Sequence, residues 1–153
     1  MEDKKLRSFQ QKLLKPTLEE AKNYGHSLDY SINSLSIIDN ILNNLHLEYQ
    51  NDENIEKGEN QEAYSGLAMC YAAYIIEVIE RAHGKGELRR TDPTNEDVVF
   101  ALYIDKKLIF PYNWVIKKII DGGSDNIFRT YSMITFNKKN KNIFSIFKRN
   151  NLF

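Results

Sequence analysis

Residues 64–82, with the sequence YSGLAMCYAAYIIEVIERA, decide the fold of this chain. The segment is the most hydrophobic in the chain, and its glycine and alanines let neighbouring elements approach closely. Its uninterrupted apolar part is shorter than the roughly 20 residues that a membrane-spanning helix needs. We therefore predict a central helix that is apolar on most sides through its first half and amphipathic after Glu77. Gly84 is the predicted cap, because glycine adopts a left-handed conformation at the least cost.

Two further helical patterns precede this segment. Residues 31–47 place isoleucine and leucine at intervals of three and four, with asparagine and serine opposite, which predicts an amphipathic helix. Nearer the N-terminus an apolar stripe at helical spacing stops at Pro16, a residue that disfavours continuation of a helix. Thr17 stands three residues before Glu20 in a capping-box arrangement, and a second short stripe ends at Gly25. Two short helices or one kinked helix fit this pattern equally well.

A β-hairpin is predicted after the central helix, where the pattern changes to period two. Residues 98–104 alternate along a strand, and residues 107–110 resume the pattern after a tight turn at Asp105 and Lys106. Residues 87–90 are a candidate third strand.

The next segment predicts two short helices. Pro111 ends the second strand of the hairpin and begins a helix that stops at Gly122 and Gly123. Ser124 or Asp125 is the predicted cap of a last helix.

Together these elements predict an α+β fold that is predominantly helical. Its central apolar helix is accompanied by a small antiparallel sheet and a C-terminal helix. We expect one globular domain over residues 1–137. Residues 138–153 are expected to form a tail, because they are basic and asparagine-rich and carry phenylalanines.

Length and composition limit the classes of function. A chain of 153 residues with 42% hydrophobic residues has the size and composition of one folded domain. The 21 lysines and arginines balance 21 aspartates and glutamates, so the net charge gives no general attraction to nucleic acid or to an anionic membrane. The single cysteine, Cys70, allows no internal disulfide, and the charged N-terminus lacks an apolar signal core. We therefore expect a cytoplasmic protein that binds neither nucleic acid nor membrane.

The acidic segment 48–62 is the candidate partner-binding surface. Its six carboxylates, against one lysine, belong to Glu48, Asp52, Glu53, Glu56, Glu59 and Glu62. Such a segment is usually solvated surface, but it can also mimic a polyanion and fill a basic cleft on another protein. No catalytic motif or cofactor signature accompanies it. The sequence therefore favours a non-enzymatic protein-binding module without a cofactor. The leading hypothesis is an immunity or antitoxin-type protein, monomeric or homodimeric, that neutralises a toxin by direct binding through the acidic loop and exposed tyrosines.

A rival interpretation is a small hydrolase or a metal-dependent enzyme. Glu77, Glu80 and His83 follow one another at three-residue spacing on the central helix, and Glu-x-x-His is half of the ligand set of di-iron bundles. No second Glu-x-x-His occurs in the chain. In the competing structural interpretation, Glu77 is a partly buried carboxylate paired with a lysine, arginine or tyrosine, and His83 meets the helix dipole. Cys70, in the middle of the same helix, is expected to be a small apolar filler.

Three motifs resemble a recurrent family of uncharacterised bacterial domains. They are Leu28-Asp-Tyr-Ser at a helix start, Tyr71-Ala-Ala-Tyr-Ile-Ile-Glu-Val in the central helix, and a Pro-x-x-x-Val-x-Lys helix that begins at Pro111. Ala72 and Ile76 stand where that family carries glycines. The resemblance implies a fold of this kind and a bacterial origin, and it implies no catalytic residues. A short bacterial protein with few motifs is also similar in character to immunity proteins.

Overall fold

The computed structural model of the chain describes residues 2–52, 61–91, 100–123 and 126–136. Over these residues the fold is α+β and predominantly helical, as predicted, with five helices and a three-stranded antiparallel sheet. The elements in chain order are α1 (Glu2–Asn23), α2 (Ser34–Gln50), α3 (Gln61–His83), β1 (Glu87–Arg90), β2 (Phe100–Ile104), β3 (Lys107–Ile109), α4 (Pro111–Asp121) and α5 (Ile127–Ser132). The predicted tail, 138–153, lies outside the described residues, and the division of the chain at residue 137 stays a prediction.

Helix α1 runs without interruption through Pro16, so the alternative of a single helix holds. A proline removes one backbone donor from the hydrogen-bond ladder of a helix. Beside it, the Thr17 hydroxyl lies 2.7 Å from the carbonyl oxygen of Leu13 and 2.9 Å from that of Cys70, and its single O–H is shared between these two acceptors. The contact with Cys70 ties α1 to α3 and stabilises the helix close to the missing bond.

Helix α3 forms the centre of the molecule, as predicted. It packs between α1 and α4, and α4 in turn packs against α2. The ten consecutive side chains of residues 71–80 are all buried. Gly84 ends the helix at a φ of 98°, and its N–H donates to the carbonyl of Glu80 at 2.8 Å. None of the helices within the described residues is long and apolar enough to cross a membrane.

The predicted distribution of polarity along α3 is wrong. The helix is not amphipathic after Glu77, because Glu77 and Glu80 are only 8% and 5% exposed. The guanidinium of Arg7 on α1 forms two hydrogen bonds with the Glu80 carboxylate, one of them 2.8 Å long, and the N–H of Gly86 donates a third at 2.8 Å. A buried carboxylate is tolerated when it is paired and hydrogen-bonded. By contrast, several residues in the first half of α3 lie at the surface, among them Glu62, Ala63 and Gly66.

Helix α2 begins at Ser34 and ends at Gln50, three residues later at each end than the pattern predicts. The chain enters it through Tyr30, whose φ of 63° is uncommon for a residue with a side chain. The Tyr30 N–H donates to the Tyr74 hydroxyl at 2.8 Å, and the two rings stack at 5.0 Å. The Arg81 guanidinium lies 3.9 Å from the centre of the Tyr30 ring. These contacts stabilise a backbone conformation that the tyrosine does not favour by itself.

The sheet has the order β1-β2-β3, with both neighbouring pairs antiparallel. Asp105 and Lys106 join β2 to β3 at φ values of 52° and 63°, which is typical of the type I′ turn of two-residue hairpins. The predicted hairpin is therefore confirmed, and Glu87–Arg90 is its third strand. On β1, which lies at one edge of the sheet, the N–H of Leu88 donates to the Asp3 carboxylate of α1 at 2.6 Å.

Helix α4 is confirmed at both ends, with Pro111 as its first residue and Gly122 after its last. The predicted caps of α5, Ser124 and Asp125, lie outside the described residues. The helix begins after Asn126, whose side chain accepts a hydrogen bond from the Arg129 N–H at 2.7 Å and caps it. A carboxylate from another helix adds to this cap, because Asp39 of α2 accepts from the N–H groups of the first two residues of α5, at 2.6 and 3.1 Å.

Candidate functional site

The C-terminal ends of α1 and α2 meet near the start of α3, where tyrosines contact carboxylates. Tyr24, just after α1, donates from its hydroxyl to a carboxylate oxygen of Glu48 on the last turn of α2, at 3.1 Å. Tyr64 in the first turn of α3 donates to Asp52, just after α2, at 3.3 Å. The ring of Tyr49 meets the Tyr64 ring edge-on, with 5.2 Å between ring centres. We call these five residues the tyrosine–carboxylate cluster.

Burial and the neighbouring carboxylates keep the hydroxyl groups of Tyr24 and Tyr64 protonated, so that they act as hydrogen-bond donors. Burial raises the pKa of Tyr24 well above its ordinary value, and the neighbouring Glu48 carboxylate raises it further. Burial likewise raises the pKa of Tyr64, with Asp52 as the next cause. Both phenols therefore stay protonated at neutral pH and donate to the carboxylates. Because a carboxylate accepts about four hydrogen bonds, the exposed Glu48 retains capacity to accept donors from a partner.

Tyr71 lies behind the cluster in the interior of α3. Its side chain is fully buried, and among the described residues its hydroxyl has no hydrogen-bond partner. Burial raises its pKa, and the nearby Glu20 and Tyr24 add to this rise. Side chains on a helix incline toward its N-terminus, so the Tyr71 hydroxyl is directed to the end of α3 that carries the cluster.

The structure describes three of the six predicted partner-binding residues. Glu48 and Asp52 belong to the cluster, and Glu62 is exposed in the first turn of α3. The other three predicted residues lie outside the described residues; they are Glu53, Glu56 and Glu59. The assignment of all six to a partner-binding surface stays a prediction.

The sequence predicts exposed tyrosines at the partner-binding surface, but it does not show which tyrosines contact these carboxylates. Tyr49 is adjacent to Glu48, and Tyr64 closely follows the acidic segment, so aromatic residues flanking the acids are the signal that points to them. Tyr24 gives no such signal, because the loop before α2 and most of α2 itself separate it from Glu48 in the chain.

Glu77, Glu80 and His83 do not converge on one point. Glu80 binds Arg7, whereas Glu77 accepts hydrogen bonds from Gln11 at 3.0 Å and Arg81 at 3.1 Å. The His83 ring lies 2.6 Å from the Tyr131 hydroxyl and stacks on Phe136 at 3.9 Å between ring centres. In residues 2–52, 61–91, 100–123 and 126–136, no group of three or more histidine, cysteine, aspartate or glutamate side chains is arranged to hold a metal ion.

Cys70 faces the contact between α3 and α1. Burial raises the pKa of its thiol, which keeps the sulfur neutral and weakly nucleophilic at neutral pH. Its expected role as a small apolar filler stays a prediction, because the residue is partly buried and the Thr17 side chain hydrogen-bonds its thiol.

Comparison of the chain with models of protein families, with curated proteins and with solved structures finds no match in any of the three. The resemblance to a family of bacterial domains therefore stays a prediction.

Proposed function

We propose that this chain is a bacterial protein-binding module of the immunity or antitoxin type, which neutralises a toxin by binding it through the tyrosine–carboxylate cluster. The observation that carries the proposal is the pairing of Tyr24 with Glu48 and of Tyr64 with Asp52 at one surface. Tyrosine is enriched at protein interfaces, because its ring gives contact area and its hydroxyl gives a directed hydrogen bond. Tyrosines whose hydroxyls are already fixed lose little conformational freedom when a partner binds.

The charge of this surface indicates the chemistry of the partner. Glu48 and Glu62 are exposed, and Leu47, which precedes Glu48 in the chain, is an apolar residue with 55% exposure. Such a surface complements a basic site rich in lysine and arginine, because opposite charges speed association and align the two proteins. Leu47 supplies apolar area next to the charges.

Binding measurements with matched variants test this proposal. The partner, isolated by affinity purification from cells that make this protein, is titrated calorimetrically with the wild-type chain and with the double variant Glu48→Gln/Asp52→Asn. We expect the double variant to bind about 10- to 100-fold more weakly, because each lost charge pair at an interface costs on the order of 1 kcal/mol or more. The wild-type affinity should also fall as the salt concentration rises.

The matched control is Glu87→Gln, which removes an exposed carboxylate of β1, outside the cluster. It should leave the affinity unchanged. Neutralisation is measured by co-expression, in which the wild-type chain and the Glu87→Gln variant restore the growth of cells that make the partner and the cluster variant does not. Equal affinity of the cluster variant and the wild type would refute the proposal, as would a partner that does not impair growth. We further infer that the protein is cytoplasmic and that it is a monomer or a homodimer. Light scattering of the purified protein distinguishes the two oligomeric states.

A further inference from the structure

A cleft of about 480 Å³ lies between α4 and α5. Its wall includes the aromatic ring of Trp114, the lysines Lys117 and Lys118, and the rim residues Asp121 and Asn126. This volume falls within the range of about 300–1,000 Å³ that is typical of small-molecule sites. The cleft is built from other elements than the tyrosine–carboxylate cluster, so it calls for a separate explanation.

Lys118 is the unusual member of this cleft, because it is a lysine with only 6% exposure. Its ammonium group has three donors, and it donates one hydrogen bond, 2.6 Å long, to the carbonyl of Gly123. Asp39 interacts with it electrostatically, but the hydrogen bonds of that carboxylate go to the backbone N–H groups at the start of α5. A buried ammonium needs acceptors for its donors, and an anionic group in the cleft would supply them.

The charges that face the cleft agree with an anionic ligand. Among the described residues that line the cleft, Lys117 and Lys118 contribute two positive charges and Asp121 contributes one negative charge. Asp39, which interacts with Lys118, is not one of these lining residues. The first two N–H groups of α5 are already occupied by Asp39, so binding of the anion falls to Lys118 and not to the helix end.

Trp114 determines the second property of the ligand. It is half-buried against the core, and it lines the same cleft as Lys118, one helical turn away on α4. An indole face binds planar rings by stacking, and Asn113, Asn126 and Thr130 add polar groups around it. We propose that this cleft binds a small anion that carries a planar ring, with Lys118 contacting the phosphate or carboxylate and Trp114 contacting the ring.

The fluorescence of Trp114 tests the proposal directly, because it is the only tryptophan in the chain. The full-length protein is titrated with four probes: adenosine monophosphate, adenosine, inorganic phosphate and benzoate. We expect a saturable change of fluorescence with adenosine monophosphate or with benzoate, which distinguishes a phosphate from a carboxylate ligand. If the anionic group of the ligand is a phosphate, adenosine and inorganic phosphate should each bind at least about 10-fold more weakly than adenosine monophosphate. Adenosine lacks the phosphate that contacts Lys118, and inorganic phosphate lacks the ring that contacts Trp114.

Two substitutions of Lys118 separate binding from folding. Lys118→Gln keeps a donor for the Gly123 carbonyl without the charge, and Lys118→Met removes both. Each folded variant should bind the anionic probe about 10- to 100-fold more weakly than the wild type does, because it lacks the charge-assisted hydrogen bond from Lys118 to the anionic group. Lys15→Met, which removes an exposed lysine of α1, is the matched control and should bind as the wild type does. The absence of saturable binding for both anionic probes would overturn the proposal, and so would full affinity in folded Lys118→Gln.

Discussion

Tyr71 and Tyr74 are one helical turn apart on α3 and are both fully buried, but within the described residues only Tyr74 has hydrogen-bond partners. The Tyr74 hydroxyl accepts from the Tyr30 N–H and lies 2.8 Å from the hydroxyl of Ser34. The Tyr71 hydroxyl has no partner in the part of the chain that the structure describes. Replacement by phenylalanine removes the same hydroxyl from each site. The pair of variants therefore measures the contribution of hydrogen bonding at equal burial.

The two substitutions should change stability in opposite directions. Tyr74→Phe removes two hydrogen bonds and takes the acceptor from the Tyr30 N–H, so we expect the free energy of unfolding to fall by about 2–3 kcal/mol. Tyr71→Phe removes a hydroxyl whose loss of hydration is not compensated, so we expect a gain of about 1 kcal/mol. For a chain of this size the resulting difference of about 3–4 kcal/mol corresponds to roughly 10 °C in the unfolding midpoint.

Urea denaturation followed by far-ultraviolet circular dichroism measures both values. The slope of free energy against urea should be the same for the two variants and the wild type, because the surface exposed on unfolding does not change. Thermal unfolding provides an independent midpoint for each protein. A loss of stability in Tyr71→Phe as large as that in Tyr74→Phe would show that the Tyr71 hydroxyl is hydrogen-bonded, and it would refute the reasoning.

Three further predictions concern the buried charges and the hairpin turn. Arg7→Met leaves the Glu80 carboxylate without its cation and should lower the free energy of unfolding in urea by about 3–5 kcal/mol, whereas adding Glu80→Gln should recover part of that loss. Lys106→Gly relieves a positive φ and should raise stability by about 1 kcal/mol in thermal unfolding; a lower midpoint would contradict this. Burial alone would raise the pKa of Glu77, but hydrogen bonds from Gln11 and Arg81 outweigh it and lower that pKa. The stabilisation from Glu77 is therefore present above the unfolded-state pKa of about 4.3 and is lost as the pH falls through the lower folded-state pKa. Urea titrations of Glu77→Gln at several acidic pH values should show a weaker dependence of stability on pH, and an unchanged dependence would argue against the contact.

Much of the fold follows from local sequence patterns. The spacing of isoleucine and leucine predicts α2 to within three residues at each end, and the turn at Asp105 and Lys106 predicts the hairpin. These signals are local, because helix periodicity, strand alternation and turn conformation each depend on residues close together in the chain.

The errors arise where distant residues decide the outcome. Glu80 marks a solvated helix face by any local criterion, but Arg7, 73 residues earlier in the chain, pairs with it and allows burial. The sequence leaves open whether Pro16 divides two helices or lies within one, and the single helix is supported by the next residue, which hydrogen-bonds both within α1 and to α3. Tyr24 could not be assigned to the candidate site for the same reason, since its contact with Glu48 exists only after α1 and α2 have packed.

The carboxylate of Asp3 also bears on how copies of this protein behave toward one another. The outer strand of a sheet offers backbone donors that can pair with the same strand in a second molecule, which is a route to aggregation. Asp3 occupies one such donor, the N–H of Leu88, and places a negative charge beside it. The first turn of α1 thus hinders pairing of the edge strand β1 with the same strand of a second molecule. Unwinding of that turn, by a bulky N-terminal fusion or by deletion, would expose the N–H of Leu88. The protein would then aggregate at a lower concentration.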